Sequence, residues 1–349
     1  MKNNILLYIE LPPPMHGMTY INKIIYDNLK VKDEYVFYNT NFTSHTEEVS
    51  KISLSKVFKN ISIMFGAWGA FFKCRPIRVY SLLSASKFGI IRDFMINLPA
   101  ILFRKELILH LHGFTYYKIY QTSKLYKVLF DLMTENSKII VLCEKQKSET
   151  LSIVKRDSLV LHNTLRYDAK VKPREKNEVL QICYISNISK DKGIFDLVKA
   201  IQDSKLNVKL IVAGNFLSDK DEFLELIRDC ESISYVGFAD ENIKKEILES
   251  SDIFCLPSKL EEGSPISIIE AMSYGLPVIA SDKGCIKEMI DDVGYLLLEK
   301  YLYDDIIQGL EFIDNNYEKL SSNSLIKYKH NYTKNKFINK LENILKEGL

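Results

Sequence analysis

Short apolar runs alternate with helical stretches along most of this chain, and that alternation restricts the fold more than any other feature. Ile5–Ile9, Tyr35–Tyr38, Arg78–Leu82, Leu107–Leu111, Ile139–Leu142 and Leu159–Leu161 read as strands, with helical patterns near 18–30, 51–73, 87–103, 121–136 and 144–154. Near-continuous apolar strands separated by helices call for a parallel sheet covered on both faces. The stretch 163–178, NTLRYDAKVKPREKNE, is polar and carries Pro173, so it reads as an interdomain linker. The alternation then restarts with Leu180–Ile185, Val208–Ala213, Ile233–Val236, Ile253–Leu256, Pro277–Ala280 and Tyr295–Leu298, and is helical from about 303 onward. The expected fold class is therefore α/β, with two doubly wound Rossmann-like domains at 1–165 and 166–330. A length of 349 residues, at roughly 150 per domain, agrees. Ligands of such sheets bind beyond the carboxyl ends of the strands, so the functional residues belong in loops that follow strands.

Composition removes several classes. Lys and Arg number 47 against 45 Asp and Glu, a net charge of +2 that argues against a nucleic-acid coat. With 46% hydrophobic and 26% charged residues the chain is not disordered. The longest uncharged apolar stretch, between Lys59 and Lys73, is shorter than the roughly 18 residues of a spanning helix. The charged Met-Lys start runs directly into a strand, so no signal peptide is expected. Six cysteines, none in a C-x-x-C pair or zinc spacing, read as buried thiols of a cytoplasmic protein.

Residues 257–290, PSKLEEGSPISIIEAMSYGLPVIASDKGCIKEMI, carry the most chemistry. A strand ends at Leu256. Ser264 suits an N-cap and Pro265 the first helical position, Gly275 suits the left-handed residue after the helix, and Pro277 blocks its continuation. The open N–H groups of such a helix bind anions, a diphosphate among them. Glu262 before the helix and Glu270 within it place carboxylates at two levels of one pocket, where they can accept hydrogen bonds from ribose or hexose hydroxyls. Taken alone, Glu270 reads as an ordinary helix-surface charge; the surrounding pattern changes that. Glu262, seven residues, Glu270, Ala271-Met272, Gly275 and the strand Pro277-Val278-Ile279-Ala280 together resemble the signature of glycosyltransferase family 4, of the GT-B superfold. Ser264-Pro265 stands where the commoner version has Phe-Gly.

That resemblance implies two Rossmann-like domains facing a central cleft, with a helix at about 331–349 returning to the first. It implies that Glu270 binds the nucleotide ribose, that Glu262 contacts the donor hexose, and that the Gly263, Ser264, Pro265 and Ile266 backbone lies near sugar and phosphates. In Ile185-Ser-Asn-Ile-Ser-Lys-Asp-Lys-Gly193, Lys192-Gly193 matches the family's diphosphate-binding segment. Asn187 takes the place of its usual Arg; an Asn can donate a hydrogen bond to a phosphate oxygen but brings no charge. Lys190 reads as a solvated loop residue.

The loop Leu11–Thr19, with three prolines and Gly17 before a helix, can bring backbone N–H groups against a phosphate or sugar. It is similar to the first loop of bacterial family 4 enzymes. His16 is a ligand contact or an exposed loop histidine. His110-Leu-His112-Gly113 ends a strand: alternation puts His110 inside and His112 at the rim. In the resembled family a His-Gly here lies beside the donor sugar, which makes His112 and Glu262 the catalytic candidates. Asn163 reads as a linker turn, and Asp219-Lys-Asp221 as solvated carboxylates rather than a metal site. No metal and no cofactor beyond the donor is expected.

Residues 51–75 place Leu54, Val57, Phe58, Ile61, Phe65, Trp68 and Phe72 on one helical face, with Lys51, Lys56, Lys59, Lys73 and Arg75 around it. This is either an interfacial helix that meets anionic lipid or a core helix with basic ends. The function implied is a retaining hexosyltransferase. Its donor would be a UDP- or GDP-sugar and its acceptor a saccharide, for instance undecaprenyl-linked, in capsule, O-antigen or exopolysaccharide synthesis. It would work in the cytoplasm at the inner face of the plasma membrane. The alternatives are a non-catalytic scaffold of the same fold and a nucleotide-sugar epimerase.

Overall fold

Two parallel sheets organise the protein. The computed structural model describes residues 4–41, 54–154, 156–167, 175–298 and 302–347. The chain divides into two units, Met1–Arg166 with Asn335–Leu349, and Tyr167–Lys334. Part of the expected linker, 168–174, lies outside the described residues, as do Lys51 and the side chains of Leu54, Lys56 and Val57.

In unit 1 the elements run β1 (Ile5–Ile9), α1 (Gly17–Leu29), β2 (Tyr35–Asn39), α2 (Leu54–Cys74), β3 (Arg78–Leu83), α3 (Lys87–Leu102), β4 (Glu106–Leu111), α4 (Tyr116–Thr122), α5 (Lys124–Thr134), β5 (Ser137–Val141), α6 (Glu144–Val154) and β6 (Leu159–Val160). The strand order is β2-β1-β3-β4-β5-β6. The chain winds outward in both directions from β1 and β3, so the switch point lies at that pair. Leu6, Leu7, Ile9, Val79, Leu83, Leu109 and Leu111 are fully buried, as continuous apolar strands require.

One expectation changes here. The helix read over 121–136 is two helices, because Ser123 is extended and its Oγ caps α5 by accepting from the Tyr126 N–H. In α2, Phe58, Ile61, Phe65 and Phe72 are exposed, while Ala67 and Phe71 point inward. The helix packs through small residues against tyrosines of the sheet: the Tyr8 hydroxyl donates to the Ala67 carbonyl at 2.9 Å, and the Tyr38 hydroxyl to that of Ile63 at 3.1 Å. Close approach at this seam leaves the aromatic side outward.

Unit 2 contains β7 (Leu180–Ile185), a 3₁₀ turn (Lys190–Lys192), α7 (Ile194–Asp203), β8 (Val208–Ala213), α8 (Lys220–Ile227), β9 (Ile233–Tyr235), α9 (Glu241–Ser250), β10 (Ile253–Leu256), α10 (Ile266–Ser273), β11 (Val278–Ser281), α11 (Ile286–Ile290), β12 (Gly294–Leu297) and α12 (Leu302–Asn331). Its order, β12-β11-β10-β7-β8-β9, puts the switch point between β7 and β10. Cys183 and Cys255 are free thiols in these strands, fully buried. Gly275 (φ +73) ends α10 in a Schellman motif, with the Leu276 N–H on the Ala271 carbonyl and the Gly275 N–H on that of Met272. The long α12 bends at Asn316 and covers α7, α10 and β12.

The last helix, α13 (Lys334–Lys346), belongs to unit 1. Arg78 of β3 binds Glu106 at 2.6 Å and donates to the carbonyl oxygens of Leu345 and Lys346, capping the carboxyl end of α13 with a cation. Lys32 and Tyr35 both reach Glu342, at 2.5 and 3.3 Å.

Candidate functional site

In unit 1, β1 leads through Glu10 into the Pro-rich loop. Asn side chains replace regular pairing here. Asn39 accepts from the N–H groups of Leu11 and Asn41, and Asn41 Nδ2 donates to the carbonyls of Leu11 and Pro13 at 2.6 and 2.7 Å. His16 is the N-cap of α1, its N–H bound by Thr19 Oγ1 at 2.9 Å. A Cβ on Gly17 would meet nothing within 4 Å, so packing does not demand the glycine. Its place at the start of α1 leaves room for a ligand to approach the backbone.

Beside the loop is a buried charge cluster that strand and helix periodicity could not reveal. Arg92 of α3 binds Glu10 Oε1 at 2.9 Å and Asp93, and its Nη2 donates to Ser84 Oγ at 2.7 Å. Asp93 Oδ2 accepts from the Ser84 N–H at 2.7 Å. Burial raises the Glu10 carboxyl, and Arg92 opposes that rise. This cluster ties the ends of β1 and β3 together at the switch point.

The two histidines after the β4 core lie one upon the other, with ring centroids 4.1 Å apart. His110 is fully buried and its Nδ1 lies 2.8 Å from the Tyr80 hydroxyl of β3. His112, at the rim, has a buried Nε2 with no hydrogen-bond partner among the described residues. Burial, with His16 as a neighbouring charge site, pushes His112 down to about 4, and burial lowers His16 as well. Both rings are neutral at physiological pH. Gln146 of α6 fixes the following turn by donating to the Gly113 carbonyl at 2.6 Å while accepting from the Leu142 N–H at 2.7 Å. Asn163 is buried.

In unit 2 the expected donor residues fall on the two strands of the switch point. Lys192 follows β7 and Glu262 follows β10, and they pair at 2.6 Å with side chains only 16% and 15% exposed. Gly193 makes that approach possible. Its φ is +72, and a Cβ would sit 1.9 Å from the Pro257 carbonyl oxygen. Glu270 lies on the inward part of α10 and both its oxygens meet Lys244 Nζ of α9, at 3.0 and 3.3 Å. Burial raises the Glu270 carboxyl; Lys244 works against it. Pro265, not Ser264, is the N-cap of α10, and no side chain caps that end. Ser264 is buried with its Oγ toward Met289 Sδ at 3.7 Å. The cap shifts by one because Pro265 adopts ψ 120, outside the helical range. Gly263 and Ile266 flank this end, and the carbonyls of Glu262 and Gly263 accept from the Cys285 N–H, holding the loop.

Asn187 is exposed, with its backbone carbonyl taken by the Tyr184 hydroxyl at 2.7 Å. Lys190 turns to Glu222, away from Lys192's partner, at 2.6 Å. Asp219 stands at the N-cap position of α8 without a side-chain cap bond, and its Oδ2 accepts from the Ser218 hydroxyl at 2.6 Å. Among the described residues no three His, Cys, Asp or Glu side chains converge to hold a metal ion, and no helix is long and apolar enough to cross a membrane.

With this geometry in place, comparison with known proteins shows what the chain resembles. Residues 166–331 match the family model described as glycosyl transferases group 1. Among curated relatives, an uncharacterized glycosyltransferase of Haemophilus influenzae is 26% identical over 197 residues, covering 53% of this chain and 54% of its own. A lipopolysaccharide 1,2-N-acetylglucosaminetransferase of Salmonella typhimurium is 29% identical over 143 residues, covering 37% and 38%. The chain thus spans about half the length, or less, of these relatives. Among solved structures, Anabaena HepE in complex with UDP superposes with a TM-score of 0.73 at 15% identity, over 98% of this chain and 99% of that one. The fold is GT-B.

Proposed function

We propose that this protein is a retaining glycosyltransferase that moves a hexosyl unit from a UDP- or GDP-sugar to a saccharide acceptor. The observation that carries this reading is the pairing of Lys192 with Glu262 at the β7/β10 switch point, beside the uncapped start of α10. A half-buried cation and a helix N-terminus suit a leaving diphosphate, whose developing charge they stabilise. When the diphosphate takes Lys192, Glu262 is released to accept hydrogen bonds from the hexose. Glu270 accepts from the ribose, Asn187 donates to a phosphate oxygen, and the backbone from Gly263 to Ile266 lies along sugar and phosphate. In unit 1, Gly17 opens the α1 terminus to the substrate. The neutral His112 serves the reacting face, where a cation would oppose the positive charge that grows on the sugar carbon. Retention of configuration follows the family 4 resemblance. No metal or further cofactor enters this scheme.

The acceptor we favour is lipid-linked, of the undecaprenyl type, in surface-polysaccharide synthesis at the inner face of the plasma membrane. The Salmonella relative named for lipopolysaccharide supports that class. So does α2, which has no acidic residue and exposes Phe58, Phe65 and Phe72 beside Lys59, Lys73 and Arg75. That composition suits an anionic bilayer surface. The Asn187 substitution keeps a non-catalytic scaffold as the second reading.

Release of UDP or GDP from candidate donors tests both. Wild type is expected to release one of them, with strong losses in Glu262→Ala and His112→Ala. Equal release by all three proteins sinks the site assignment. No release with any donor and any saccharide or lipid-linked acceptor leaves the scaffold.

A further inference from the structure

Lys244 lies outside every motif used so far. It sits in the first turn of α9, whose start is fixed by Asp240: its Oδ1 accepts from the N–H groups of Asn242 and Ile243, both at 2.9 Å. From there Lys244 reaches across to α10 and meets Glu270 Oε1 and Oε2 at 3.0 and 3.3 Å. Exposed pairs within one helix are common and worth little. This one differs on three counts. It joins two helices, the carboxylate is only 15% exposed, and among the described residues Lys244 is the only cation paired with it. The other ionisable groups that bear on this carboxyl are Glu241, one turn earlier on α9, and Tyr274, just past α10.

The near-symmetric contact has a chemical consequence. A carboxylate has about four lone-pair sites. One ammonium astride both oxygens takes the inner side of each and leaves the outer lone pair of each oxygen as an acceptor. It also fixes the plane of the carboxylate, so that each remaining acceptor points in a set direction. We propose that Lys244 is a positioning residue of the donor site, holding Glu270 as an oriented acceptor for a hydroxyl of the nucleotide ribose. The inference rests on the reading of Glu270 given above and adds the residue that makes that reading work. Burial favours the protonated acid at Glu270, and Lys244 opposes it. Without the ammonium the carboxyl shifts further toward the protonated acid, and raising the pH restores the carboxylate.

The test uses the full chain with Lys244→Met and Lys244→Arg, and calorimetric binding of UDP and GDP beside their 2′,3′-dideoxy counterparts from pH 6 to 9. Lys244→Met should weaken the ribonucleotide on the order of tenfold at pH 7 and regain affinity as pH rises. The dideoxy nucleotide should bind both proteins alike, and Lys244→Arg should restore most of the loss. A wild-type pH profile in Lys244→Met, or equal loss for both nucleotides, overturns the proposal. If wild type binds ribonucleotide and dideoxynucleotide equally, Glu270 does not read the ribose. If it binds neither, the donor-site reading itself falls.

Discussion

The two carboxyl edges solve opposite electrostatic problems. At the edge of unit 2 each expected carboxylate is matched by a lysine from another element, Glu262 by Lys192 and Glu270 by Lys244. At the edge of unit 1 His112 is held neutral by burial, and Glu10 and Asp93 both turn to Arg92. An edge with exchangeable ion pairs suits the capture of a charged donor. A neutral edge suits the place where charge develops transiently. The proposed division is therefore binding in unit 2 and chemistry in unit 1.

Four experiments can break or sharpen that contrast. The largest effect is expected from Lys192→Ala. Losing the cation on the leaving diphosphate should cut kcat/KM by about 10²–10³, read by nucleotide release. His112→Ala should lower kcat by about 10² with the donor Kd unchanged; a KM effect with kcat intact would erase the contrast. The wild-type pH profile belongs to the same test. Because His112 titrates near 4, its neutral form persists above that, so kcat should fall only as pH drops through that value and not between 5 and 8. Next, Phe65→Glu and Phe72→Glu should reduce cosedimentation with anionic vesicles by roughly tenfold, at unchanged Tm. Equal binding would return α2 to a purely structural role. Smallest is Glu262→Gln, which removes Lys192's internal partner. It should tighten binding of the bare nucleoside diphosphate by a few-fold and shrink the added affinity that the sugar provides. Weaker binding of both would show that Glu262 does not compete for Lys192.

Legibility in the sequence followed the range of the interactions. The β/α alternation, the two sheets and the loop and helix that carry Glu262 and Glu270 were readable because each depends on neighbours: a strand's apolar run, Gly275 after α10, two carboxylates eight residues apart in one loop and helix. The caps were less so, since Ser264 and Pro265 compete for one position and only the backbone angle of Pro265 decides. Partners contributed by distant elements left no local trace. Lys244 looks like any surface lysine until α9 packs beside α10. Gln146 gives no sign that it braces the turn after β4, and the Glu10–Arg92–Asp93 cluster joins two strands and a helix. Which side of α2 meets the sheet stayed open for a related reason. Helical periodicity finds the apolar stripe but not which side meets the sheet, and here the small residues Ala67 and Gly66 with the hydroxyls of Tyr8 and Tyr38 decide it.

The place of α13 governs the order in which the protein is assembled during translation. Unit 2 is one uninterrupted segment, 167–334, whereas unit 1 needs 335–349, which leave the ribosome only after all of unit 2. Until then Arg78 lacks the carbonyls it caps, and Lys32 and Tyr35 lack Glu342. Unit 1 must therefore wait with its six strands made but its last helix missing, while the part synthesised later is free to finish first.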